Sequence, residues 1–389
     1  MWKRTQTLMD RLSQNEKIHR VIFVNPEVWL TDLFSDFKEQ LSPMSHKLYR
    51  FSWKSVIPTK VNDKVIAFTP LNFIPFGRTI PGLGRFQRSF HRWMINRLIQ
   101  EKDYILFVND FPFNPERQQL IEELRQKAKL VMFDWSDDFV EFFKDPGGRK
   151  KVNDLCENYL RTAHGVMAVN DELTQRARSL NPHSYTILNG TDIVSMPDGW
   201  TSGKDGPEAL RSLSRPLIGY IGWITPTRID SELLINLARM RPDWSIVLVG
   251  PSNKRFTQAF ESLPNIIFLP PVDYQVLPQY LSAFDVCIIP HYVNDHTRGN
   301  NPLKLYQYLA VGKPVVSTAI SGLEGFEDVV YIANDKEKFP YCVEQALKED
   351  SGDRRERRLE KARENTWSSR VDEVWRIIDN CLESASQAK

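Results

Sequence analysis

Residues 301–316 read NPLKLYQYLAVGKPVV, and their spacing sets the terms on which the rest of the chain is read. Leu303, Tyr306 and the Leu309-Ala310 pair recur at helical intervals, so 302–311 reads as a short buried helix. Pro302 suits the first turn of such a helix, where a missing N–H costs nothing. Gly312 suits the position just past its end, and Lys313-Pro314 then leads into a strand. Asn300, Asn301, Leu303 and the N–H groups before Lys304 thus fall at a helix N-terminus, where anions bind. Lys304 can reach a phosphate as a point charge. The same residues also read as a plain helix-turn-strand with an exposed lysine.

Outward from this segment, short apolar runs alternate with helical patterns, which is the signature of α/β architecture with parallel sheets. In the second half the runs are PLIGYIG (216–222), SIVLVG (245–250), NIIFLP (265–270), VCIIP (286–290), PVVST (314–318) and VVYIA (329–333). In the first half they are RVIFVNP (20–26), KVIAFTP (64–70), YILFVND (104–110), LVMFDWS (130–136), GVMAVN (165–170) and the short TILNG (186–190). Helices are expected at Pro115–Ala128 and, after the DPGG turn, at Arg149–Ala163. Residues 191–215 have no clean period and are rich in Gly, Ser, Asp and Pro, which marks a linker. The expected organisation is two Rossmann-like domains, 1–190 and 216–370. A closing helix over 371–389 could pack back on the first of them. Arg354–Arg363 reads mostly as a solvated face.

Bulk properties agree with that scale. The 389 residues are 41% hydrophobic and 26% charged, ample for two cores. A net charge of +2 supplies no global field for nucleic acid, which is therefore not an expected partner. Cys156, Cys287, Cys342 and Cys381 lie far apart without metal-ligand spacing, so no metal is expected and a reduced, cytoplasmic setting fits. The N-terminal MWKRTQTLMDRLSQ lacks the apolar stretch of a signal peptide. No window approaches the ~20 apolar residues of a membrane span, so any membrane contact would be at the inner surface.

Two further segments could carry chemistry. GYIGWITPTRID (219–230) is a glycine turn between a strand and a helical pattern. Glycines at that place let a phosphate approach backbone N–H groups, and Arg228 could add a fork of donors for a diphosphate. PPVDYQVLPQYLSAFDVCIIPHY (270–292) is a loop, a helix and a buried strand, in which Tyr274 could cup a base. Each also reads as an ordinary connection of an α/β domain.

Taken together and in order, GYIG…R, VLVGP (247–251), PPVDYQVLPQYLSAFDV and NPLKLYQYLAVGKPVVST resemble the C-terminal domain of GT-B glycosyltransferases of family four. NGTD (189–192) and TWSSR (366–370) resemble motifs that close the two domains of that family, and the likeness covers about Asn189–Arg370. A weaker likeness runs through Trp2–Gln6, FVNP and MFDWSDDF (132–139), closest to bacterial cell-surface polysaccharide transferases of the teichuronic acid type. The resemblance implies a GT-B fold whose two domains face a cleft. A nucleotide-diphospho-sugar donor, expected to be a UDP-sugar, would bind the C-terminal domain at Gly222, Trp223, Arg228, Pro251, Tyr274, Asn301, Leu303, Lys304 and Gln307. A glycan or lipid-linked acceptor would bind the N-terminal domain. The implied chemistry is retaining transfer without metal and without a cofactor beyond the donor itself. Two positions depart from the family: its glutamate pair, eight positions apart, falls on Gly299 and Gln307, and its arginine after the second glycine of the turn is Trp223.

The acids of MFDWSDDFVEFF follow a buried strand, near where the family often carries a histidine facing the sugar. Asp137 and Asp138, with Asp110 a weaker candidate, could orient hydroxyls or stabilise positive charge at the anomeric carbon; helix capping is the competing reading. RTIPGLGRFQRSFHRWMINRL (78–98) holds five arginines and no acid. Arg85, Arg88 and Arg92 share one helical face, with Phe86, Phe90, Trp93 and Met94 elsewhere around it. This segment could hold a lipid-linked diphosphate or lie on an anionic membrane surface, with Trp93 at the contact; a core-packing helix with a solvated basic face is the alternative. A sugar-nucleotide epimerase and a non-catalytic partner subunit are the competing functional classes.

Overall fold

The fold was established from a computed structural model, which describes residues 4–24, 28–29, 57–69, 71–72, 81–99, 104–109, 115–143, 145–193, 206–252, 254–294, 297 and 299–387. Chain contacts divide the protein into two units. One comprises Ala168–Thr174 and Thr186–Glu373; the other comprises Trp2–Met167, Gln175–Tyr185 and Val374–Lys389. Most of the expected linker, 194–205, and Asp110 lie outside the described residues.

The unit built on Thr186–Glu373 holds a six-stranded parallel sheet. Its strands are Leu217–Ile221, Ser245–Val249, Ile266–Leu269, Val286–Ile289, Val315–Thr318 and Val330–Ala333. In space the third lies at one edge, followed by the second, first, fourth, fifth and sixth. This is the doubly wound order, and it reverses between Leu217–Ile221 and Val286–Ile289. The central strands are buried on both faces, as their continuous apolar runs require. A crevice at the carboxyl ends of the two strands flanking the reversal is where such sheets bind ligands.

The helix Leu303–Ala310 ends as its sequence dictates. Gly312 adopts φ 71°, the Gly312 N–H donates to Leu309 O, and the Lys313 N–H donates to Tyr308 O. That pair of bonds satisfies carbonyls the helix would otherwise leave open. Arg358, expected on a solvated face, is instead 2% exposed, and its Nε donates to Gly312 O at 3.0 Å. The helix start is held from further away. Asn189 donates from its backbone N–H to Asn301 Oδ1 at 2.8 Å and from its side chain to Asn301 O at 2.6 Å. The Thr191 N–H donates to Asn365 O, and Arg370 Nε donates to Asn189 O. So the NGTD and TWSSR segments meet, and together they brace the segment leading into the helix.

In the other unit, Ile105–Val108, Leu130–Trp135, Gly165–Ala168 and Ser184–Thr186 form a four-stranded sheet in that spatial order. The last strand lies earlier than the TILNG run implied: only Ile187 continues the pairing, through its N–H to Ala168 O, because Asn189 is drawn to Asn301. Val21–Val24 and Val65–Phe68 pair in parallel in a separate sheet, with Thr59–Lys60 antiparallel at its edge. The helix Arg4–Ser13 was not anticipated; it buries Leu8, Met9 and Leu12. Pro115–Lys127 and Pro146–Thr162 are helical, the second capped by Asp145, which accepts from the Gly148 N–H.

One contact governs the crevice. Gly250 has φ 149°, and a Cβ there would lie 1.9 Å from the Gly222 carbonyl oxygen. Backbone at both sides fixes that spacing, so no side chain can yield. Gly250→Ala is expected to destabilise this unit by about 3 kcal/mol, read as a lowered urea midpoint.

Candidate active site

At the reversal point, four elements converge on Lys304. The strand Leu217–Ile221 supplies Tyr220 and runs into Gly222; the turn after it supplies Trp223 and Arg228. The strand Val286–Ile289 runs into Pro290 and His291, and the helix Leu303–Ala310 carries Lys304 in its first turn. The turn is pinned by the Gly222 N–H donating to Val249 O and the Ile224 N–H donating to Pro251 O. Arg228 is pinned through its backbone: its carbonyl accepts from the Tyr292 N–H at 3.0 Å, and Ile229 bridges to His291.

Lys304 is only 7% exposed. Its Nζ lies 3.3 Å from His291 Nε2 and 4.8 Å from the centre of the Tyr220 ring. A Cβ on Gly222 would approach Lys304 Nζ to 3.4 Å, so the amine rests directly against the glycine turn. An ammonium can only donate, so His291 Nε2 must accept and is unprotonated while Lys304 is charged. Tyr220 donates its hydroxyl to Trp223 O at 2.8 Å and lies 3.5 Å from His291 Nε2. Among the described residues neither Lys304 nor Arg228 has a carboxylate partner. Burial first, and the Arg228 charge second, hold the Lys304 pKa well below the usual lysine range. Lys304 and Arg228 thus sit beside a glycine turn with no carboxylate to compensate them, and a polyanion placed there would favour the protonated amine.

The other expected donor residues fall around this point with different duties. Trp223 and Tyr274 are exposed at 41% and 37%. Leu303 is half-buried and Gln307 is 5% exposed within the same helix as Lys304. Asn301 serves the scaffold: its Oδ1 accepts from Asn189 N–H and from the Tyr306 hydroxyl, and its Nδ2 donates to Gly322 O. His291 and Tyr220 were missed as site residues. Their signal was present, since each stands at or beside the carboxyl end of a strand flanking the sheet's reversal, but the strand order was needed to see it.

In the other unit the acids at the end of Leu130–Trp135 and just beyond it meet arginines. Asp134 is 1% exposed; Arg4 Nε donates to it at 3.0 Å and Asn109 Nδ2 at 2.8 Å. Asp138 forms an ion pair with Arg176, whose guanidinium lies 5.1 Å from the Trp135 ring centre. Asp138 precedes the short helix Phe139–Phe142 yet makes no side-chain capping bond: Arg176 holds its Oδ2, and its Oδ1 is buried without a hydrogen-bond partner. Asp137, between them, is half-buried. The Arg85 and Arg88 side chains lie outside the described residues, Arg92 pairs with Glu123 at 2.7 Å, and Trp93 is 53% exposed. No group of His, Cys, Asp and Glu suited to a metal occurs among the described residues.

Comparison with known proteins places this architecture. The fold is GT-B. Residues 215–349, which lie in the unit bearing Lys304, match the family described as "Glycosyl transferases group 1". A putative teichuronic acid biosynthesis glycosyltransferase, TuaH of Bacillus subtilis (strain 168), is 31% identical over 139 residues, which is 34% of each chain. The match thus spans about a third of the length of that relative. Among solved structures, sucrose-phosphate synthase from Thermosynechococcus elongatus aligns over 98% of this chain and 93% of its own, with TM-score 0.67 and 16% identity. HepE from Anabaena, in complex with UDP and glucose, aligns over 81% and 86%, with TM-score 0.56 and 14% identity.

A buried cation without a counter-ion costs stability. Lys304→Met is expected to stabilise the unliganded protein by about 1–2 kcal/mol, in the range seen when buried charges give way to apolar side chains. The sign with pH follows from the lowered pKa. The unfolded chain holds the Lys304 proton more tightly, so this group makes stability rise with pH up to the ordinary lysine range. The rise in urea midpoint between pH 7 and pH 9, values of about two units' separation within that range, should shrink in Lys304→Met.

Proposed function

We propose that the protein is a glycosyltransferase that moves a sugar from a nucleotide-diphospho-sugar to a glycan or lipid-linked acceptor in bacterial surface polysaccharide synthesis. The observation that carries this reading is the buried Lys304, with Arg228 beside it and no carboxylate partner for either among the described residues, at the switch point of a group 1 domain. A UDP-sugar is the proposed donor. The structural likeness to HepE, solved with UDP and glucose, and to TarM from S. aureus, solved with UDP and a GlcNAc-glycerol, supports that choice. Likeness to TuaH supports a wall-polysaccharide acceptor.

In this mechanism the bond between the anomeric carbon and the β-phosphate oxygen breaks, and negative charge grows on the departing diphosphate. Lys304, Arg228 and the N–H groups near Gly222 and Leu303 stabilise that charge, the task a metal ion performs in other transferases. The acceptor hydroxyl bonds to the anomeric carbon on the face the diphosphate leaves, giving retention, and its proton passes to the diphosphate oxygen. Gln307 can hydrogen-bond a sugar or ribose hydroxyl without adding negative charge beside the phosphates. Asp137, half-buried in the acid segment after Leu130–Trp135, is the proposed carboxylate at the acceptor side. An epimerase would require more acids and histidines around the nucleotide. A non-catalytic subunit would gain stability by losing the Lys304 charge, so its retention favours a working site.

Calorimetric titration with UDP, GDP and dTDP tests the donor assignment. Lys304→Ala and Arg228→Ala should each weaken nucleoside diphosphate binding by about 1.5–3 kcal/mol, the scale of a hydrogen bond to a charged group. Unchanged affinity in both would remove the assigned role. Asp137→Asn should lower turnover of the donor while leaving nucleotide affinity as it was; a loss of affinity instead would place Asp137 at the donor.

A further inference from the structure

The amine of Lys304 sits in a setting that suits it better without its third proton than with it. An ammonium has three N–H groups to satisfy. Among the described residues its one hydrogen-bond acceptor is His291 Nε2 at 3.3 Å, and the centre of the Tyr220 ring lies 4.8 Å away. On the Gly222 side, where a Cβ would come within 3.4 Å of Nζ, no acceptor meets it. The charges nearby act in the same direction. Arg228, from the turn after Leu217–Ile221, is a like charge. Tyr220 on that strand and Tyr308 on the helix Leu303–Ala310 stay neutral, since burial pushes both hydroxyls up. Asp230, beyond the turn, is engaged elsewhere: it accepts from the Leu233 N–H and pairs with Lys336. Burial and Arg228 accordingly hold the Lys304 pKa well below the usual lysine range. His291, by contrast, is fixed by several contacts. Its carbonyl accepts from Thr318 Oγ1 at 2.8 Å, its backbone bridges to Ile229, and its ring meets that of Tyr220 edge to face with centroids 6.0 Å apart. A neutral imidazole there offers the amine a lone pair in a set direction without adding charge.

We propose that His291 is the positioning residue of Lys304, and that nucleoside diphosphate binding at the Gly222 turn draws a proton from solvent onto the amine. In the free protein the imidazole holds the amine against the turn. A diphosphate oxygen then supplies the acceptor that the third N–H lacks and the negative charge that favours the ammonium. The new N–H bond forms on Nζ, and water or buffer gives up the proton; His291 Nε2 remains the acceptor, so the imidazole stays neutral. This rests on the nucleotide-binding reading of the site and concerns how its lysine becomes charged. The sign with pH follows. Binding raises the Lys304 pKa from its lowered free-state value, so affinity is level below that value and falls as pH rises above it.

The test is calorimetric titration of the full chain with UDP at about pH 8 in Tris and in HEPES, where a terminal phosphate with a second pKa of about 6 holds no proton of its own. The heats should differ between the two buffers as their protonation enthalpies do, in the sense of proton uptake by the complex. Affinity should be weaker at about pH 9 than at about pH 7. His291→Leu removes the acceptor. It should weaken UDP binding about tenfold at the middle pH and move the onset of the alkaline loss to lower pH, since less of the free amine is then charged. His291→Gln keeps an acceptor near the place of Nε2 and should recover most of that affinity. Circular dichroism reports that both variants remain folded. A histidine with a merely structural duty would change affinity without moving the pH profile, so an unmoved profile in His291→Leu removes it as the positioning residue. UDP binding with equal heats in both buffers would overturn the proton uptake while leaving the donor site standing. Failure of UDP, GDP and dTDP alike to bind would overturn the reading of the site and this proposal with it.

Discussion

A lysine amine held almost out of water without a carboxylate beside it is the constraint on which the unit with the six-stranded sheet turns. The helix Leu303–Ala310 could bury Lys304 more cheaply if an acid accompanied it, and none does among the described residues. What accompanies it instead is the imidazole of His291, the face of Tyr220 and the charge of Arg228. The first two ease the desolvation of the amine without cancelling its field; the third adds to that field. The scaffold around the amine is correspondingly stiff. Gly250 abuts the carbonyl of Gly222, the helix end is closed by Gly312 and Arg358, and the stretch before the helix is anchored to Asn189 through Asn301. Preorganisation of this kind is what makes fixed charges effective against a developing anion.

The other unit treats charge in the opposite way. Asp134 and Asp138 are each paired with an arginine of the same unit, and Asp138 Oδ1 stays buried without a hydrogen-bond partner. Arg4 reaches Asp134 from the helix at the chain's start, which ties that helix to the carboxyl end of a central strand. Paired charges hold a strand end while contributing little net field, and Asp137 between them is half-buried.

Much of the fold was legible because its signals are local. Six apolar runs of the second half each contain the strand they predicted, and Pro302 and Gly312 bracket the helix within a residue at each end. The doubly wound order itself was not legible; a parallel sheet can be inferred from alternating patterns, but the reversal point depends on which strands pair. For that reason His291 and Tyr220 passed as structural, although both were in quoted motifs. Lys304 was recognised for its charge, whereas its burial depends on Tyr220 from a distant strand. Asn301 was read as a ligand contact from its place before the helix; its amide is engaged by Asn189, 112 positions away, and no local pattern announces that bond. Asp138 was weighed as a cap or a catalyst, and Arg176, 38 positions on, decides how it is held.

The bracing of Asn189 by Arg370 joins residues 181 positions apart. During synthesis the segment containing Asn189 emerges long before Arg370 does, and the central strand Leu217–Ile221 likewise waits for Val286–Ile289 before both its edges are covered. At about 5–20 residues per second, the nascent chain spends on the order of ten seconds or more with the Asn189 segment open, and several seconds with that strand edge open. Closing such distant pairs costs loop entropy that only the finished chain can offset. The late-arriving tail is therefore a clasp as well as a helix, and truncation before it would leave an otherwise well-formed sheet with the segment leading into Leu303–Ala310 unsecured.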